Sequence, residues 1–220
     1  MNKTVLITGA TRGIGKAIKQ NLEKELDYTL LIPTRTELDL ASMASIDAYF
    51  SEYNKIDIVI NNAGINLIQS IDRIDVESLQ IMQQINLYAP LKIIQHCVPY
   101  MKTKNYGRIV NLSSIWGLRS KEERTLYSMS KFGINGITKS LARELGQYNI
   151  LINAICPGYV NTEMTQQNIS VEEQEKIRTT IPLARFAEPN EIANLVKFLI
   201  SAENSYMTGQ TIVIDGGFLA

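Results

Sequence analysis

The chain is 220 residues long, 45% hydrophobic and 20% charged, the composition of an ordinary globular protein with room for one substantial core. Its 22 basic and 22 acidic side chains cancel, which removes the case from bulk charge for a nucleic-acid or anionic-membrane partner. One histidine and two distant cysteines, Cys97 and Cys156, exclude most metal-centred, histidine-based and disulfide-scaffold schemes, and His96 reads as a helix-surface or interface residue.

In chain order, the opening MNKTVLITGAT is broken by glycine too early for a signal segment. No stretch approaches the ~20 apolar residues of a membrane span, so a reduced, cytoplasmic setting is expected. Apolar runs of strand length fall at 3–8, 28–33, 56–60, 107–112, 149–155 and 210–214. Helix-period patterns occupy 13–26, 74–84, 88–103, 126–146 and 189–201. IDIVI and RIVNL are almost continuously apolar, as strands become when helices cover both faces of a sheet. The expectation is one doubly wound parallel-sheet α/β domain of Rossmann type spanning residues 1–220, with its ligand at the carboxyl ends of the strands. Residues 161–188 are polar and lack a strand pattern, which suits an excursion over the site.

Between the first strand and the first helix stands TGATRGIG, Thr8 to Gly15. A glycine turn that opens a helix offers free backbone N–H groups and a positive dipole end to an anion. Gly9 suits the tight turn, Gly13 a close approach and Gly15 close helix–strand packing. A plain strand-to-helix turn would explain the glycines alone. Further along, Tyr127 and Lys131 are four residues apart in a helical pattern and so share a face. A nearby ammonium favours a phenolate and is expected to lower the Tyr127 pKa from near 10. Ser114 ends the strand RIVNLSS thirteen residues earlier, and Ser113 is its rival for the same role.

Taken together, TGATRGIG, Asn61-Asn-Ala-Gly64, Asn86, Ser114, Tyr127-Ser-Met-Ser-Lys131, Pro157-Gly158 and Thr162 resemble the compact branch of the short-chain dehydrogenase/reductase family. IPLARFAEPNEIA and TGQTIVIDGG extend the likeness to bacterial 3-oxoacyl-carrier-protein reductases over essentially the whole chain. The resemblance implies that Tyr127 exchanges a proton with the substrate oxygen while hydride moves to or from carbon. It implies that Ser114 binds that oxygen, that Lys131 tunes Tyr127 and holds the nicotinamide ribose, and that Asn86 supports a water-mediated relay to Lys131. For the cofactor it implies Gly9, Ala10, Thr11, Arg12, Gly13, Ile14 and Gly15 at the first turn, and Asn62, Ala63 and Gly64 beneath the adenosine ribose. Tyr127, Lys131, Pro157, Gly158, Val160 and Thr162 would meet the nicotinamide end.

Two departures stand out. The run from YTLLIPTR into TELDLASMASIDAYF is short, so a helix after the second strand is expected to be absent or shortened. LDL would then be a third strand with Asp39 and Leu40 beside the adenine. The second strand ends without an immediate carboxylate, and Arg35 with Arg12 points to NADP(H) over NAD(H). The loop WGLRSKEERTLY is more charged than in many relatives, consistent with solvent exposure or with a polar or anionic substrate, and Trp116 and Met164 are candidate pocket walls. The reading is an NADP(H)-dependent carbonyl reductase, a 3-oxoacyl thioester reductase being one form and a keto-sugar reductase another. The rivals are an epimerase of the extended branch, which the glycine spacing and short C-terminal part oppose, and a cofactor-sensing regulator, which the complete reactive set opposes. A homotetramer is expected from apolar residues on more than one face of 88–103 and 126–146 and from the apolar C-terminus.

Overall fold

The computed structural model describes residues 2–220. Its strands are β1 (Lys3–Ile7), β2 (Tyr28–Leu31), β3 (Ile58–Asn61), β4 (Gly107–Leu112), β5 (Ile150–Pro157) and β6 (Thr211–Ile214), all parallel in one sheet ordered β2-β1-β3-β4-β5-β6. Side chains alternate across a strand, so each strand feeds two cores. Val5, Ile7, Ile58, Ile60 and Val110 pack beneath α1 (Gly13–Leu22) and α8 (Pro189–Ile200). Leu6, Val59, Ile109, Ile150 and Ile152 face α2 (Met43–Glu52), α4 (Ala89–Lys104) and α5 (Thr125–Leu145). Burial on both faces is why these strands carry no polar alternation.

From β1 the chain first builds β2 on one side and later β3 on the other. The order therefore reverses between β1 and β3, which opens a crevice at their carboxyl ends. Two buried bonds hold the centre of the sheet near it. Asn61 Nδ2 donates to Asn111 Oδ1 at 2.9 Å, and Asn111 Nδ2 donates to Thr138 Oγ1 at 3.0 Å. No helix among the described residues is long and apolar enough to cross a membrane.

The LDL segment is not a strand. Glu37 N and Leu38 N both donate to Thr34 O, at 3.1 and 3.0 Å, and Ser42 N donates to Asp39 O at 3.0 Å. These turns consume the amides that a ladder on β2 would need, so β2 is the edge of the sheet. Leu38 turns inward and is buried among Ile46, Tyr49 and Phe50 of α2. Only α2 lies between β2 and β3. Its cap is visible in the sequence: Ser42 Oγ accepts from Ser45 N at 3.2 Å, ahead of apolar residues at 46, 49 and 50. His96 lies on the surface of α4, its Nε2 2.8 Å from Asp47 Oδ1 and its ring stacked on Phe50.

Residues 161–188 contain α6 (Glu163–Asn168) and α7 (Val171–Arg178), each capped by a hydroxyl, Thr162 and Ser170 respectively. Between α3 (Val76–Gln83) and α4 the helix widens into a π turn, Gln84–Tyr88, in which Ala89 N reaches back five residues to Gln84 O. Such turns insert one extra residue and commonly mark functional positions.

Candidate active site

At the end of β1 the backbone of Gly9 turns through φ +69°, a region that a side chain disfavours. Gly15 is close-packed rather than strained: a Cβ there would lie 2.1 Å from Gly9 O and 2.4 Å from Asn62 Nδ2. Asn62 ties the turn to β3, donating from Nδ2 to Thr8 O and Gly9 O, both at 3.0 Å. The Thr8 hydroxyl in turn accepts from Asn62 N and Ala63 N, both at 3.1 Å. Arg12 is the N-cap of α1 and supplies no side-chain cap, so the first-turn amides stay open for an anion.

These elements border an open cleft of about 370 Å³. Gly9, Thr11, Arg12, Gly13 and Ile14 form one wall, Arg35, Asp39 and Leu40 another, and Asn62, Ala63 and Gly64 lie between them. Tyr127 and Lys131 close the far end, and Pro157, Thr162 and Met164 complete the lining, Thr162 reaching back to Gly13, where a Cβ would come within 3.3 Å of its methyl group. Ala10 and Val160 are buried in the core behind this surface, and Gly158 packs against Asp215, where a Cβ would come within 2.8 Å. Trp116 is removed from the cleft and packs edge-on against Tyr159 and Phe218. A dinucleotide fits this shape. An uncapped helix end suits a pyrophosphate, and at Gly64 a Cβ would come within 3.2 Å of Asn86 Oδ1 and 3.7 Å of Lys131 Nζ.

At the far end, Tyr127 and Lys131 lie one turn apart on α5, with Lys131 Nζ 5.5 Å from the centre of the phenol ring. Nζ donates to Leu112 O at 2.7 Å. Ser114, the last residue before a short 3-10 turn, accepts from Trp116 N at 3.2 Å, and its hydroxyl pulls the Tyr127 pKa down. Ser113, rather than Ser114, is among the residues lining the cleft, and its hydroxyl donates to Lys131 O at 3.3 Å. Asn86 sits in the π turn with both ends of its amide held by Ile65: Oδ1 accepts from its N–H at 2.9 Å and Nδ2 donates to its carbonyl at 2.8 Å.

The direction of the Tyr127 shift differs from the sequence expectation. Burial pushes the phenol up to about 12, against the opposing pulls of the Ser114 hydroxyl and the Arg124 charge. Burial also lowers Lys131 to about 8. The dry environment that brings the pair together disfavours both ions more than their proximity favours the phenolate. Without a further positive charge the phenol is a proton donor at neutral pH.

Sequence reasoning missed Thr8, Pro33, Ile65, Ile85, Leu112 and Glu163 among the cleft residues. Thr8 had a signal, a hydroxyl closing an apolar strand immediately before the glycine turn. The apolar ones had none, since wall and core residues share a pattern.

The comparisons with known proteins agree with this geometry. A family model described as enoyl-(acyl carrier protein) reductase matches residues 4–219. The curated relatives include the 3-oxoacyl-[acyl-carrier-protein] reductase FabG of Aquifex aeolicus, 36% identical over 240 aligned positions that cover 98% of this chain and 96% of the relative. The same-named protein of Thermotoga maritima is 34% identical, covering 99% and 98%. Among solved structures, 4-hydroxyisoleucine dehydrogenase complexed with NADH superposes with a TM-score of 0.92 at 30% identity, covering 99% of this chain and 98% of that one. ElxO with NADP bound superposes at 0.89 with 28% identity, covering 100% and 99%. Fold, crevice and full-length likeness converge: the chain belongs to the short-chain dehydrogenase/reductase family of oxidoreductases.

Proposed function

We propose that the protein is an NADP(H)-dependent reductase that interconverts a ketone and a secondary alcohol, with Tyr127 as proton donor and acceptor. The observation that carries this is one cleft whose near wall is an uncapped helix N-terminus and whose far end holds a phenol that burial keeps protonated, with Lys131 Nζ 5.5 Å from its ring centre. A bound nicotinamide supplies or accepts the hydride. Tyr127 keeps its proton at neutral pH and gives it to the substrate oxygen as negative charge grows there. The Ser114 hydroxyl stabilises that oxygen, the kind of contact that lowers barriers when placed in advance. Lys131 holds the ribose hydroxyls and, with Asn86, returns a proton to the phenol. The whole chain acts as one domain, with 161–188 covering the substrate end. The curated relatives are named for 3-oxoacyl thioesters, so 3-oxo compounds are the first class to test. NADPH oxidation measured with acetoacetyl thioesters, keto-sugars and small diketones should show turnover with at least one class. No turnover with any, together with no NADPH binding, defeats the proposal.

The preference for NADP(H) rests on Arg35 and Arg12. Both side chains are at the cleft mouth, 82% and 58% exposed, and paired only with exposed acids, Arg35 with Asp39 at 3.6 Å and Arg12 with Glu163 at 3.3 Å. Such pairs are weak and leave both cations available to a phosphate. Charge-assisted hydrogen bonds are worth about 1.5–3 kcal/mol each. NADPH is therefore expected to bind at least about tenfold tighter than NADH, and Arg35→Ala to remove most of the gap by weakening NADPH alone. Fluorescence titration of both cofactors decides this, and equal affinities contradict it.

A homotetramer is part of the same proposal. Tyr88 and Leu91 of the α4 side and Met129 and Phe132 of α5 are all exposed apolar residues, and an apolar groove runs between Leu91, Val98 and Leu141. A monomer would leave this patch in water. Light scattering is expected to give four times the protomer mass, and Phe132→Glu to give smaller species. A stable wild-type monomer at micromolar concentration overturns it.

A further inference from the structure

Arg124 and Arg108 are the deeply buried arginines among the described residues. Arg124 is 5% exposed, and its Nε and Nη1 are buried without a hydrogen-bond partner. No carboxylate lies within ion-pair distance of it among the described residues. Arg108, as deeply buried, also has an unpartnered Nε, but its Nη1 and Nη2 donate to the carbonyls of Gly107, Asn149 and Asn204, whereas the Arg124 guanidinium donates to none. The acids nearest Arg124 are Glu123, which precedes it, and Glu173 of α7, which is 3.7 Å from Lys121. An uncompensated buried guanidinium is costly, and a fold keeps one only where something else supplies the opposite charge.

Its position indicates what that is. Arg124 is the N-cap of α5, and Tyr127 follows it by three residues, which puts the two side chains on one face of the first turn. Its charge acts on the Tyr127 phenol and on Tyr159, whose ring contacts Trp116, Phe186 and Phe218. The guanidinium's charge therefore reaches the proton donor from the Tyr159 side, beyond the residues that line the cofactor cleft.

We propose that Arg124 binds a carboxylate of the substrate close to the reacting carbon, so that the protein acts on small oxo and hydroxy acids rather than on neutral thioesters. This rests on the reductase reading above and names the substrate class of the same site. A planar guanidinium matches a carboxylate in two parallel hydrogen bonds, and Arg124 keeps donors on both Nε and Nη1 that nothing in the protein accepts. A thioester carbonyl is neutral and would leave the charge uncompensated. Charge at this point also holds the acid in one orientation, with its ketone oxygen toward Tyr127 and Ser114.

The test uses NADPH-loaded wild type, Arg124→Met and Arg124→Lys, with folding of each variant read from NADPH binding. Wild type is expected to show kcat/KM at least about tenfold higher for acetoacetate than for its ethyl ester or its N-acetylcysteamine thioester, and Arg124→Met to reduce that ratio by at least about tenfold, chiefly through KM. Arg124→Lys should keep the preference in reduced form. Malonate, a dianion that cannot be reduced, should bind wild type at least about tenfold more tightly than Arg124→Met in calorimetric titration of the same loaded protein. A wild-type preference for ester or thioester, or a ratio unmoved by Arg124→Met, overturns the proposal. Inorganic phosphate displacing malonate at equal concentration also overturns it, since the site would then be one for phosphate. Malonate discrimination without turnover of any carbonyl supports the anion site and instead defeats the reductase reading.

Discussion

Tyr127→Phe is expected to lower kcat by about 10²–10⁴ while NADPH still binds, because the variant loses one proton donor and little volume. The argument comes from burial. The phenol is raised to about 12, so it is protonated across the physiological range and ready to act as an acid. The opposite direction needs the phenolate. Below the raised pKa its fraction grows about tenfold for each pH unit, so kcat/KM for alcohol oxidation should climb with that slope above about pH 6. Reduction should be flat over the same interval. A Tyr127→Phe protein retaining more than about a tenth of wild-type kcat would overturn the assignment. An oxidation profile already level below about pH 7 would show that something other than burial governs the phenol.

Gly15→Ala should be the most damaging small substitution. Its Cβ would overlap Gly9 O at 2.1 Å and Asn62 Nδ2 at 2.4 Å, and neither can withdraw. Gly9 O belongs to a tight turn, and Asn62 Nδ2 is committed to two carbonyls of that turn. Overpacking of this kind costs about 3 kcal/mol or more, and it displaces the amides proposed to meet the cofactor. The melting temperature should fall by roughly 6–12 °C for a chain of this size. Gly146→Ala is the control: it ends α5 at a right-handed φ of -56° with nothing within 4 Å of the added carbon, and it should leave the melting temperature close to that of wild type. A Gly15→Ala protein that melts with wild type would show the turn to be slack.

What the sequence revealed and what it hid divide along a physical line. The strands and long helices are legible because their periodicity is local, as in IDIVI and RIVNL, and so is the pairing of Tyr127 with Lys131 on one face. The segment 38–40 misled because period-two apolar spacing looks the same in a strand and in a turn that drops Leu38 into the core. What decides between them is the competition of Glu37 N and Leu38 N for Thr34 O, a contact with no pattern of its own. The π turn at Gln84–Tyr88 was equally hidden, since it accompanies an Asn86 side chain gripped by Ile65 from a distant loop. The raised pKa of Tyr127 and the stranded charge of Arg124 are products of burial, which no spacing of residues reports.

The replacement of a strand by turns after β2 has a consequence for how the protein can change. Residues 34–42 make bonds within the segment, such as Thr34 N to Glu37 Oε2 at 2.7 Å and Ala41 N to Asp39 Oδ1 at 3.0 Å, and are tied to the helices by Asp39 N to Ser45 Oγ at 2.9 Å and Gln84 Nε2 to Leu40 O at 3.0 Å rather than to the sheet. Those bonds can open without disturbing the ladder between β1 and β3, so amide hydrogens here should exchange well before those of the sheet. Arg35 and Asp39 belong to this separately stabilised patch. Mutations at the proposed phosphate contact of Arg35 should therefore be tolerated there with little change in the melting behaviour of the sheet, uncoupling that contact from the stability of the fold.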